Sequence, residues 1–143
     1  MADDLRVVID TSALVSAVLL PRSVPRQAFD AARRRGRLLV SEATIAELDD
    51  VLRRPKFDRY LAEYLRLEFL GALLEIAEVV AAHGDIAACR DPRDDKFLSV
   101  AVNGRATHIA TGDDDLLTLH PFRGVAIVTP HEFLVQIGPA ASQ

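Results

Sequence analysis

The sequence has no tryptophan, a single cysteine and few aromatic residues of any kind. One thiol, Cys89, cannot close an internal disulfide, so a disulfide-stapled secreted fold is excluded and a reducing compartment is the expected setting. Without tryptophan the core has to be aliphatic, built from Leu, Val, Ile and Ala. An excess of one charge is also missing. The 17 basic and 21 acidic residues leave a formal net charge of −4, which gives no bulk attraction to nucleic acid and does not exclude it. No long hydrophobic run occurs. The longest early one, residues 13–20, is interrupted by Ser16 and falls far short of the roughly 20 residues a membrane span needs. The opening Met-Ala-Asp-Asp lacks the basic character of a secretory leader. These absences together predict a soluble, cytoplasmic protein with no membrane partner.

What is present is enough for a full core. Half of the 143 residues are hydrophobic, and the length suits one domain over residues 1–143, with 138–143 a small, polar tail expected to fray. Residues 5–9 are a β-branched apolar run and predict a buried strand. Residues 11–20 predict a helix ended by Pro21, and a second helix runs from Pro25 to about Arg35 with Gly36 as its stop. Residues 37–40 predict a strand. Ser41 then caps a helix that stops before Pro55. Residues 60–80 carry apolar positions at three- and four-residue spacing, giving one or two helices, with 78–82 a candidate third strand. Asp91-Pro92-Arg93-Asp94 has the form of a helix start, and that helix should reach Asn103. Strands at 108–111 and 125–128 follow, and Thr129-Pro130-His131-Glu132 opens a last short helix. Strands alternating with helices predict an α/β fold, a three-layer α/β/α sandwich around a parallel sheet.

In such a sheet, ligands bind beyond the carboxyl ends of the strands. Asp10 closes the first strand, and Asp113 and Asp115 follow the strand at 108–111. Asp91, Asp94 and Asp95 stand in a loop and helix start, and Glu47 lies two turns into the helix after the second strand. Gathered carboxylates raise one another's pKa values, so a cluster is stable only beside cations. An all-oxygen site of a few carboxylates suits Mg²⁺ or Mn²⁺. Each acid also has a purely structural role open to it. Asp10 and Asp91 are good N-caps, Asp94 and Asp95 suit a helix first turn, and Asp113-Asp114-Asp115 suits a solvated turn. Glu47 and Asp49 flank the stripe Ile45, Leu48, Leu52 on opposite sides, and helical spacing does not choose between them.

The ordered motifs resemble the PIN-domain family. Val8-Ile9-Asp10-Thr11-Ser12 resembles its opening motif, and Thr44-Ile45-Ala46-Glu47-Leu48 resembles the segment of its second acid. Asp91-Pro92-Arg93-Asp94-Asp95-Lys96-Phe97-Leu98 resembles the segment of the third, and Thr111-Gly112-Asp113-Asp114-Asp115-Leu116-Leu117 that of the fourth. The likeness is to the bacterial and archaeal members related to VapC, toxins of toxin–antitoxin pairs. It implies a parallel sheet of about five strands and a Mg²⁺- or Mn²⁺-dependent endoribonuclease. It also implies a homodimer and a small antitoxin protein as partner. Carried over residue by residue, it makes Asp10, Glu47, Asp95 and Asp113 the catalytic and metal-binding acids, with Asp115 a candidate fifth and Thr11 and Ser12 supporting the site. Asp113 and Asp115 are only two apart, closer than in many VapC-like chains, which leaves open which of them faces the metal.

An RNA substrate also needs cations. Arg33, Arg34 and Arg35, and separately Arg53 and Arg54, are candidate phosphate contacts, although a solvated helix end accounts for each cluster equally well. Three other readings compete. A haloacid-dehalogenase phosphatase needs a second Asp two residues after the first, where Ser12 stands. A phospho-acceptor receiver domain needs paired acids after the first strand, but Asp3 and Asp4 precede it. A PIN fold used as a catalytically silent RNA-binding or scaffolding module is the alternative function, and intact acids at four positions weigh against it.

Overall fold

The computed structural model describes residues 4–84 and 86–139. Five strands, β1 (Leu5–Ile9), β2 (Gly36–Val40), β3 (Glu78–Val79), β4 (His108–Ala110) and β5 (Ala126–Val128), form one sheet in the order β3-β2-β1-β4-β5. Every pairing in it is parallel. The helices are α1 (Thr11–Leu19), α2 (Val24–Arg35), α3 (Glu42–Leu52), α4 (Glu63–Ile76), α5 (Asp95–Asn103), α6 (Asp114–Leu117) and α7 (Pro130–Ile137). The three-layer α/β/α expectation holds.

The strands alternate between two cores because successive side chains of a strand point to opposite faces. Val7 and Ile9 join Leu48, Leu52, Leu70, Leu73 and Phe133 on the face covered by α1, α2, α3, α4 and α7. Val8 and Ile109 join Phe97, Leu98 and Leu116 on the face covered by α5 and α6. A parallel sheet buried on both faces reads as continuous apolar runs, which is why residues 5–9 carry so clear a strand signal. Truncating a fully buried leucine such as Leu52 or Leu98 to alanine costs about 2–5 kcal/mol.

Local chemistry sets the helix ends. Ser41 and Thr44 form a reciprocal capping box at the start of α3, as Thr129 and Glu132 do for α7. Gly36 both ends α2 and opens β2. A Cβ there would lie 2.1 Å from the Leu5 carbonyl oxygen, so no side chain fits between these strands. Residues 60–80 resolve into a short link, the single helix α4 and the two-residue strand β3. Two elements lack a periodic signature, a 3₁₀ turn at Pro55–Phe57 and the one-turn helix α6. A third difference matters for function. The segment after Asp91 begins as a 3₁₀ turn, Pro92–Asp94, and α5 starts only at Asp95. Of the expected tail, only residues 138 and 139 fall among the described residues. The Gly138 carbonyl accepts from Arg35 Nη1 at 2.8 Å, while residues 140–143 lie outside the described residues.

Candidate metal centre

From β1 the sheet grows outward through β2 and β3 on one side, and the chain then returns to β4 and β5 on the other. The crevice between the carboxyl ends of β1 and β4 is therefore the switch point, where open α/β sheets place their ligands. Asp10 leaves β1 here and Thr111 leaves β4. The Asp10 side chain is buried at 5% exposure. Its Oδ1 accepts from the Ala13 amide at 3.0 Å, and its Oδ2 accepts from the Thr111 hydroxyl at 2.5 Å. Asp10 is thus an N-cap and an inward-facing acid at once. Burial pushes its carboxyl pKa up against the pull of those two hydrogen bonds, and the charges of Asp113 and Glu47 push the same way as burial. Thr111, fully buried, also accepts from the Asp113 amide at 2.9 Å and so ties the two strand ends together. Sequence reasoning missed it, because its partner lies 101 residues away.

α3 brings Glu47 to the same cleft, while Asp49 stays on the surface with Arg53 at 3.0 Å. One Glu47 oxygen accepts from Lys96 Nζ at 2.6 Å and the other from the Thr11 hydroxyl. Ser12 also lines the cleft.

The third acid differs from the expectation. Asp95 does not line the cleft; its Oδ1 accepts from the amides of Ala88 and Cys89 at 3.1 and 2.8 Å. Those hydrogen bonds, that from Cys89 first, hold its carboxyl below the usual range. Asp94 faces the cleft instead. The cause is the 3₁₀ turn. It places Asp94 at its end, facing the cleft, and Asp95 at the first position of α5, turned to backbone amides; the expectation of Asp95 comes from the resemblance, whereas the helix-start reading gives it a structural first-turn role. Carboxylate oxygens of Asp94, Asp113 and Asp115 lie within 4.8 Å of one another. Asp94 is pushed up to about 7, by burial first and then by its hydrogen bond with Asp113 and the charges of Asp113 and Asp91. Asp113 lines the cleft, whereas Asp115 turns an oxygen to Arg90 at 2.6 and 3.0 Å. Asp113 is therefore the residue of this pair that faces the cleft.

The cleft encloses about 780 Å³. The acids Asp10, Glu47, Asp94 and Asp113 occupy one end, and Val15, Leu19, Val51 and Phe57 make an apolar wall. Arg54 and Lys56 add cations to the lining. Arg53 is absent from it, and Arg33, Arg34 and Arg35 belong to the opposite end of the sheet, where α2 meets β2. Arg35 instead donates to the last carbonyls of α7, those of Ile137 and Gly138. The segment bearing Arg54 and Lys56 is pinned by Arg66, whose fully buried guanidinium donates to the Leu52 and Arg54 carbonyls and to Asp58 at 2.7, 3.3 and 3.0 Å. A buried arginine on an otherwise apolar helix face carries no distinguishing mark in the sequence. Cys89 is no nucleophile: burial and then Asp95 push its thiol up to about 12.

The PIN-domain family profile matches residues 6–115. The chain belongs to the PIN-domain family. It is also 31% identical over 117 residues to the uncharacterised protein MJ1680 of Methanocaldococcus jannaschii, covering 80% of this chain and 75% of that one. Its fold is similar to that of a chain in the crystal structure of VapBC2 from Rickettsia felis bound to a DNA fragment from their promoter. There the TM-score is 0.56 at 11% identity, covering 86% of this chain and 97% of the other. At that identity the likeness is one of fold. Among the described residues of this PIN domain, no helix is long and apolar enough to cross a membrane.

Proposed function

We propose that this PIN domain is a metal-dependent endoribonuclease and the toxin of a type II toxin–antitoxin pair. The observation that carries the reading is the convergence of Asp10, Glu47, Asp94 and Asp113 on one cleft at the switch point of the sheet. A purely structural role does not require four acids from four separate segments to meet. Their donor set fits a hard divalent ion, Mg²⁺ or Mn²⁺, since every side chain offers a carboxylate oxygen. Burial first, and then the neighbouring Asp113 and Asp91, lift Asp94 to about 7, and the share due to those neighbouring acids is the kind of repulsion a cation relieves.

In this reading Asp10, Asp94 and Asp113 hold the ion. A bound divalent ion supplies a lowered water pKa and charge neutralisation at the phosphoryl oxygens. The chain's own residues do the rest. Thr111 fixes the orientation of Asp10, and Thr11 and Lys96 fix Glu47, which orients the attacking water. Arg54 and Lys56 contact backbone phosphates along the cleft, and the apolar wall keeps bulk water from one side. A homodimer and a small antitoxin that covers the cleft are part of the same reading, supported by family membership and by the likeness to a VapBC complex.

The test is incubation of purified protein with single-stranded and structured RNA plus Mg²⁺ or Mn²⁺, beside Asp10→Asn and Asp94→Asn. Cleavage by the wild type and its loss in both variants supports the nuclease. Equal cleavage by all three marks a contaminant and overturns it. Growth arrest on expression that persists in Asp10→Asn overturns the toxin mechanism separately.

A further inference from the structure

Lys96 breaks a local rule. It is the second residue of α5, where the helix dipole disfavours a cation. Positions that violate local preference are commonly held by a tertiary contact with a function. Here that contact is with the acid cluster. The ammonium donates to Glu47 Oε1 at 2.6 Å and to the Arg93 carbonyl, and the two side chains of the pair are only 22% and 31% exposed. The other Glu47 oxygen accepts from Thr11. Both oxygens of Glu47 are thus engaged by the protein itself, unlike the crowded Asp94 and Asp113, which face each other.

This geometry bears on the number of ions. A two-metal centre holds its ions about 3.5–4 Å apart, each in contact with several oxygens. An ion placed beside Glu47 would stand next to the ammonium that Lys96 fixes on its Oε1, and that fixed positive charge would repel it. We propose that Lys96 supplies the second positive charge of the centre as an ammonium fixed on Glu47. The cluster then binds one divalent ion, on Asp10, Asp94 and Asp113, and admits a second only when Lys96 is removed. This rests on the metal-centre reading above.

The experiment counts ions. Mn²⁺ is titrated into the metal-stripped full chain, bound ions per chain are measured by equilibrium dialysis, and electron paramagnetic resonance reports whether they are magnetically coupled. Wild type is expected to bind one uncoupled ion, Lys96→Met two coupled ions, and Lys96→Arg, which keeps the charge, one. Two ions in the wild type overturn the proposal and leave the metal centre standing. One ion in both wild type and Lys96→Met also overturns it. No Mn²⁺ bound by the wild type overturns the metal-centre reading itself. The wild-type count is decisive even where a variant fails to fold.

Discussion

The two ends of the sheet treat charge in opposite ways. Near the amino end of β1, Arg6 forms a two-pronged pair with Glu78 at 3.1 and 2.8 Å and donates to the Gly104 carbonyl at 2.8 Å. That guanidinium holds the Glu78 carboxyl below the usual carboxylate range. Opposite charges meet there, and the arrangement fastens β1 to β3 across β2. At the carboxyl end, acids meet acids. Asp94 and Asp113 face each other and Asp10 is buried; Asp10 and Asp113 have a hydroxyl and amides for partners, while the cations Lys96 and Arg90 sit on Glu47 and Asp115 beside them. Folding alone favours the first arrangement and is opposed by the second. A region that keeps like charges together at a cost in stability is organised for something it binds.

The sharpest way to break this contrast is to separate neighbours at the acidic end. Asp94→Asn is expected to lower RNA cleavage about a hundredfold or more, the equivalent of some 3 kcal/mol of lost transition-state stabilisation. Asp95→Ala should stay within about tenfold and instead lose about 0.5–1.5 kcal/mol of stability, because two partly solvated amides exchange its carboxylate for water. Initial rates with excess RNA and urea unfolding of the same preparations measure both. If Asp95→Ala proves the more damaging to catalysis, the assignment of the third acid reverses.

At the other end, Gly36→Ala forces a methyl group against the Leu5 carbonyl and should cost about 1–3 kcal/mol. Cleavage per folded molecule should be unchanged, which places the damage in the fold and not at the centre. Denaturant midpoints combined with active-fraction titration show this.

The acidic end also predicts a pH dependence of the opposite sign to the common carboxylate case. The folded pKa of Asp94, about 7, lies above its unfolded value of about 3.9. The folded chain binds more protons in that window, so the metal-free protein loses stability as pH rises through it. Thermal unfolding in a chelator should show a melting temperature that falls between pH 5 and pH 7 by more in the wild type than in Asp94→Asn. The smallest effect belongs to the paired end: Glu78→Gln should cost about 0.2–1 kcal/mol, since both partners are partly exposed.

Much of the architecture was legible because its causes are local. A β-branched run, a serine or threonine ahead of a helix and a proline behind one act over a few residues. They located β1, the caps of α3 and α7, and the alternation that makes a parallel sheet. Asp10 was legible as an acid at a strand end. What failed was legibility of phase. The resemblance pointed to Asp95 in its segment, whereas the 3₁₀ turn at Pro92–Asp94 sets Asp94 on the cleft, and helical spacing gave no choice between Glu47 and Asp49.

By itself, then, the sequence determined the family, the order of the strands and helices, and which short segments carry acids. Only the tertiary structure decided which acid of each segment turns inward, that Thr111 ties Asp10 to Asp113, that Lys96 sits on Glu47, and that Arg33, Arg34 and Arg35 are remote from the cleft. The physical reason is range. Backbone propensity is set by neighbours along the chain, whereas the orientation of a charged side chain is set by partners in space. For Glu47 and Asp10 those partners stand 49 and 101 residues away.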